Sequence, residues 1–152
     1  MAPVGVVIGS KSDNDEIQPA LDMLEELGID YELCVMSGHR NPEAVREYGL
    51  KAEGRGFEVI IAGAGGAAHL PGIIASWTTL PVIGVPLPTS ELFGIDALLS
   101  IAQMPGGVPV ACVGIGKRGA KNAALLAAQI LSTKHEKTRE AYRKYKEELA
   151  EG

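Results

Sequence analysis

Apolar residues gather in five short runs rich in β-branched side chains, Val4–Ile8, Tyr31–Val35, Val59–Ile61, Val82–Val85 and Val108–Val113. Runs of this length, bounded by glycine, proline or polar residues, predict β-strands. Between them the apolar positions recur at helical spacing, which predicts helices near residues 15–27, 43–54, 71–78, 92–103 and 119–132. Strand alternating with helix predicts a parallel sheet covered on both faces. The expected fold is a single doubly wound α/β domain over residues 1–152, flavodoxin-like, with strand order 2-1-3-4-5 and an extra C-terminal helix. That last helix, 136–151, is charged nearly all round, with Tyr142, Tyr145 and Leu149 at helical spacing. So thin a stripe predicts packing on a neighbouring subunit rather than a share of this domain's core.

Composition narrows the function more than the fold. The chain has 152 residues, 46% of them hydrophobic and 22% charged, which suits one globular domain with one sizeable core. A net charge of −5 and 5% aromatic residues argue against nucleic acid, which needs clustered cations or stacking platforms. The one basic cluster, Lys134–Lys146, is interleaved with acids. Cys34 and Cys112 lie inside apolar runs and are expected to be small buried hydrophobes of a cytoplasmic protein. No apolar run approaches the ~20 residues of a membrane span, and the N-terminal segment has no leader pattern, so no membrane association is expected.

In a sheet of this order, ligands bind beyond the carboxyl ends of the strands where the order reverses, so the loops after strands 1, 2 and 3 converge. They read GSKSD (9–13), SGHRNP (37–42) and GAGGAAHLPG (63–72). In the first, Ser10, Ser12 and Asp13 either cap the following helix or form an anion and ribose site at its start. In the second, Ser37, His39 and Arg40 precede Pro42. Arginine offers a planar fork for phosphate, and histidine a group that titrates near neutrality. The third loop fits the G-x-G-x-x-G/A dinucleotide pattern, but it follows strand 3, and about 20 residues on there is no acid before Glu91 to hold a ribose. NAD is therefore not expected, and without Gly-Lys-Ser/Thr a P-loop is excluded. Such a loop instead brings bare backbone close to a small, flat ligand, with His69 as its one titratable group. Its imidazole either serves the site or bonds backbone for structural reasons.

Non-enzymatic relatives of the fold fit less well. A receiver domain needs an acid at the end of strand 3, where Ala62 and Gly63 stand, and a flavodoxin needs aromatic walls that these loops lack. Two histidines without acids or cysteines beside them are a poor metal-ligand set. A phosphate-and-ribose end beside a glycine-lined pocket with two histidines suggests acid–base chemistry on a ribonucleotide.

The same three segments, with SIAQMPGGVPV (100–110) and NAALLAAQIL (122–131), make the whole chain resemble the N5-carboxyaminoimidazole ribonucleotide mutases, the class I PurE family of purine biosynthesis. The resemblance implies a cofactor-free, metal-free isomerase that moves a carboxyl group from the exocyclic nitrogen to a ring carbon, giving 4-carboxy-5-aminoimidazole ribonucleotide. It further implies a cytoplasmic homo-octamer whose sites are completed by neighbouring subunits, with a ribonucleotide as its small-molecule partner. By position, His39 matches the family's general acid/base and His69 a second active-site histidine. Ser10, Asp13 and Arg40 match its substrate-binding residues, with Ser12 and Ser37 beside them, and Ala64, Gly65, Gly66, Ala67 and Leu70 form the cradle. Gly38 departs from the alanine usual in the family, which implies a looser loop before His39. Animal-type carboxylases that take CO₂ directly carry lysine in place of Arg40 and lack the GAGGAAH loop. That direct carboxylation and a non-enzymatic nucleotide-binding module are the alternatives, and the carboxylase domain of nickel-pincer cofactor synthesis is a more remote one.

Overall fold

A computed structural model describes all 152 residues of the chain. Strands β1 (Val4–Ile8), β2 (Tyr31–Val35), β3 (Val59–Gly65), β4 (Val82–Leu87) and β5 (Ala111–Cys112) alternate with helices α1 (Asn14–Glu26), α2 (Pro42–Lys51), α3 (Leu70–Trp77), α4 (Ile95–Ala102) and α5 (Gly116–Ser132), followed by α6 (Glu136–Ala150). The sheet is parallel throughout, in the order β2-β1-β3-β4-β5, as the alternating pattern predicts.

Strand residues point alternately to the two faces. Val4, Val6 and Ile8 of β1, with Val59 and Ile61 of β3, enter a core shared with α1 and α5. Val7, Ile60, Ala62 and Ala64 enter a second core with Val45 and Tyr48 of α2, Leu70 and Ile74 of α3 and Ala97 and Ile101 of α4. Helix α5 buries Ala120, Ala123, Ala124, Ala127, Ala128 and Leu131, one stripe at the i, i+3, i+4, i+7 spacing that an amphipathic helix requires.

Several boundaries differ from expectation, among them the end of β4 at Leu87 and that of α2 at Lys51. Strand β3 continues past Ile61 through Gly65, because its partner β4 supplies ladder positions as far as Gly65 opposite Leu87. Strand β5 shrinks to two residues, since Pro109 has no N–H to donate to a ladder. Helix α4 begins only at Ile95, because Phe93 and Gly94 take positive φ angles of 55° and 90°. Cys34 and Cys112 are half-buried rather than buried. Burial, with help from a hydrogen bond to Glu32, pushes the Cys34 thiol up to about 11 and keeps it unreactive. Helix α6 buries no residue fully, and lays Ala141, Tyr142 and Tyr145 along the α5 side of its own chain.

Candidate functional site

At the carboxyl ends of β1 to β4 four loops enclose a cleft of about 450 Å³. It is lined by Gly9, Ser10, Ser12 and Asp13 after β1, Ser37 to Arg40 after β2, Ala64, Gly65, Ala67 and Leu70 at the β3–α3 junction, and Thr89 after β4.

After β1 the chain makes a 3-10 turn, Lys11–Asp13, capped by Ser10, whose hydroxyl accepts from the Ser12 N–H at 3.3 Å and pairs with the Ser12 hydroxyl at 2.9 Å. Capping is thus done by Ser10. Asp13 stands at the start of α1 without a capping bond, only 7% exposed and against the cleft. Burial raises its carboxyl above the ordinary aspartate range, while a backbone hydrogen bond from Ser10 and the Arg40 charge oppose that rise. A largely buried carboxylate that takes one backbone N–H keeps acceptor capacity for a ligand hydroxyl.

After β2, Ser37 folds the turn by accepting the Arg40 N–H at 3.2 Å, and Asn41 accepts the Ser37 N–H at 3.1 Å. Pro42 then opens α2, where a missing N–H is tolerated. The guanidinium of Arg40 reaches across to the Gly9 carbonyl at 3.2 Å, tying the β1 and β2 loops together and leaving its other N–H groups for an anion. Gly38 has no left-handed φ, and an added methyl would press only on the far end of the Ile73 side chain, at 2.9 Å, with Leu70 in ordinary contact. Alanine would therefore fit this turn, and glycine there does not impose a different loop.

The glycine segment is less a loop than a strand end. Beyond Gly63, which pairs with Ile8, β1 has no further partner for β3, while β4 continues beside it to Gly65. The last residues of β3 therefore overhang the cleft with one backbone edge free of ladder bonds. Gly66 turns the chain out with φ +59° and does not line the cleft. His69 precedes α3 without a capping bond. Its Nδ1 instead lies 2.7 Å from Nε2 of His39, the rings nearly perpendicular at 81°. At that distance one ring nitrogen donates its N–H to the other, in the direction that the tautomers set. The backbone-bonded alternative for His69 is thereby set aside. His69 itself is not among the residues lining the cleft, and at its rim it borders a smaller cavity of about 310 Å³ with Ser76, Ser100 and Met104.

Thr89 was not foreseen. Its signal was the strand order itself, since β4 lies beside β3 and its loop must border the same cleft. No three residues among histidine, cysteine, aspartate and glutamate converge in a metal-binding group.

The family model described as AIR carboxylase matches residues 3–152. The chain belongs to the AIR carboxylase family. A relative from Pseudomonas aeruginosa named N5-carboxyaminoimidazole ribonucleotide mutase is 58% identical to this family member over 145 residues, 95% of the chain and 89% of the relative. One of the same name from Saccharolobus solfataricus is 56% identical, covering 98% of the chain and 93% of the relative. The crystal structure of Treponema denticola PurE superposes with a TM-score of 0.85 at 28% identity, over 97% of this chain and 91% of that one. Five parallel strands flanked by helices are thus the family's architecture as well as this member's. No helix is long and apolar enough to cross a membrane.

Proposed function

We propose that this protein is a mutase of purine biosynthesis, an isomerase that converts N5-carboxyaminoimidazole ribonucleotide to 4-carboxy-5-aminoimidazole ribonucleotide. The observation that carries the reading is the His39–His69 pair, closed at 2.7 Å beside a wall of bare backbone. Relatives bearing the mutase name at 58% and 56% identity support it.

The residues divide the work by chemistry. Arg40 with Ser10, Ser12 and Ser37 takes the phosphate, and Asp13 the ribose hydroxyls. His39, protonated, donates to the exocyclic nitrogen as the N–CO₂ bond breaks, releasing CO₂ into the cleft. The ring carbon forms its new bond to that CO₂, and His39, now neutral, recovers a proton from the same carbon as aromaticity returns. The proton count closes on His39. His69 acts through its contact with His39, holding that ring in orientation from the rim of the cleft. Acid–base assistance of this kind contributes about 10²–10⁴-fold, and retention of CO₂ beside the ring supplies proximity on top of it. The unpaired edge of β3 at Ala64 and Gly65, with Ala67 and Leu70 beyond it, cradles the carboxylate, its N–H dipoles fixed before the charge arrives.

The name of the family model favours a second reading, direct carboxylation of the uncarboxylated ribonucleotide. One assay separates the two. Purified protein is given either N5-carboxyaminoimidazole ribonucleotide or aminoimidazole ribonucleotide with bicarbonate, and product is followed by ultraviolet absorbance. Preference for the first is expected, and preference for the second overturns the mutase assignment.

The working form in this reading is a cytoplasmic homo-octamer. Leu92, Phe93, Ile95 and Leu99 form an apolar ridge around the start of α4, 52–78% exposed, which supports burial against other copies. Helix α6, which buries no residue fully against its own chain, packs on a neighbouring subunit in the same assembly.

A further inference from the structure

We propose that Thr89 is a substrate-binding residue whose hydroxyl donates a hydrogen bond to the nitrogen-bound carboxylate of the substrate. This rests on the mutase reading, and it adds a fourth loop to a site that the three sequence motifs do not cover.

Placement comes first. Strand β4 pairs with β3 as far as Leu87 opposite Gly65. Two residues on, the Thr89 N–H bonds back to the Leu87 carbonyl at 2.9 Å, a tight turn that folds Thr89 over the end of β3. There its side chain lies directly on Gly65. A methyl added to Gly65 would overlap the Thr89 hydroxyl and stand 3.1 Å from its Cβ and 3.2 Å from the Leu87 carbonyl oxygen. Gly65 thus lacks a side chain because the Thr89 hydroxyl occupies that position.

Chemistry comes second. The other hydroxyls of the cleft, Ser10, Ser12 and Ser37, bond within the β1 and β2 loops and all stand on the β1–β2 side, where the phosphate is placed. Thr89 lines the same cleft from the opposite side, exposed and outside those bonds. On the glycine wall it is the one side-chain donor, so the group bound by that wall meets the unpaired β3 edge and this hydroxyl together. In the mutase reading that group is the carboxylate. A hydroxyl bond to a charged acceptor is among the stronger neutral-donor contacts.

The test is steady-state kinetics of wild type, Thr89→Val and Thr89→Ser with N5-carboxyaminoimidazole ribonucleotide, alongside their binding of uncarboxylated aminoimidazole ribonucleotide. Thr89→Val is expected to lower kcat/KM by about tenfold or more, the range for losing one hydrogen bond to a charged group. Thr89→Ser keeps the hydroxyl and is expected to restore most of that loss. Affinity for the uncarboxylated nucleotide is expected to be unchanged in both. Wild-type kcat/KM in Thr89→Val, a serine variant as impaired as valine, or an equal loss of affinity for the uncarboxylated nucleotide would each overturn the assignment. An inert wild-type enzyme sinks the mutase reading itself, and the carboxylate contact with it, whereas an active wild type with an unaffected valine variant sinks Thr89 alone.

Discussion

Replacing Gly65 by alanine isolates the contact on which the glycine wall depends. The new methyl overlaps the Thr89 hydroxyl and sits 3.1 Å from Thr89 Cβ and 3.2 Å from the Leu87 carbonyl oxygen, where ordinary contacts begin at 3.4 Å. The carbonyl belongs to a strand locked in the ladder, so the relief must come from Thr89, which leaves its rotamer or shifts its turn. Overpacking by one methyl costs about 1–3 kcal/mol. At about 2–4 °C per kcal/mol for a domain of this size, Tm falls by between about 2 and 12 °C. Thr89→Ala alone, at an exposed position, changes stability by no more than about 0.5 kcal/mol. The double variant removes the overlap, keeps the tight contacts with the Cβ of residue 89 and the Leu87 carbonyl, and recovers most of the loss, a coupling of order 1 kcal/mol in a double-mutant cycle. Thermal and urea unfolding of the four proteins, followed by circular dichroism, measures it. Losses that simply add would show that the strain lies against the Leu87 carbonyl and that Thr89 does not rest on Gly65.

Three further outcomes follow from the cleft and its surroundings. His39→Asn is expected to lower kcat by about 10²–10⁴-fold with KM little changed; retained turnover removes His39 as the acid/base. The Asp13 carboxyl is raised by burial, so the native state favours its neutral form and loses stability as pH climbs through the raised value. Asp13→Asn is accordingly expected to match wild type at acid pH and to equal or exceed its stability at pH 7, while binding the nucleotide more weakly. Denaturation at the two pH values with nucleotide titration checks this, and a less stable variant at pH 7 would make Asp13 a structural anchor. Leu99→Glu places a charge on the apolar ridge and is expected to shift the particle mass in light scattering towards smaller species; a wild-type monomer refutes that role for the ridge.

The sequence patterns were most informative where side chains carry the period. Strands β1 and β2 match the expected boundaries residue for residue, because branched side chains mark them from end to end. The end of β3 was hidden because glycine and alanine carry little strand preference, and only pairing with β4 holds them extended. His39 and His69 were each visible in a loop, but their contact spans 30 residues and arises only when β2 and β3 flank β1. The start of α4 was obscured because Leu92 and Phe93 continue the apolar period while the backbone takes left-handed turns. Thr89 fell outside the motifs since proline and polar residues around it signal an ordinary turn.

The strand order also acts as a measuring device. Residues lining the cleft leave β2, β1, β3 and β4, four neighbours in the sheet, so strand spacings of about 4.8 Å separate them and about 14 Å lies between the first strand and the last. That is the scale of a mononucleotide. In the proposed reading the sheet thus sets the reach of the site, and a substitution deep in either core that slides one strand along its neighbour is expected to alter turnover without touching a residue of the site.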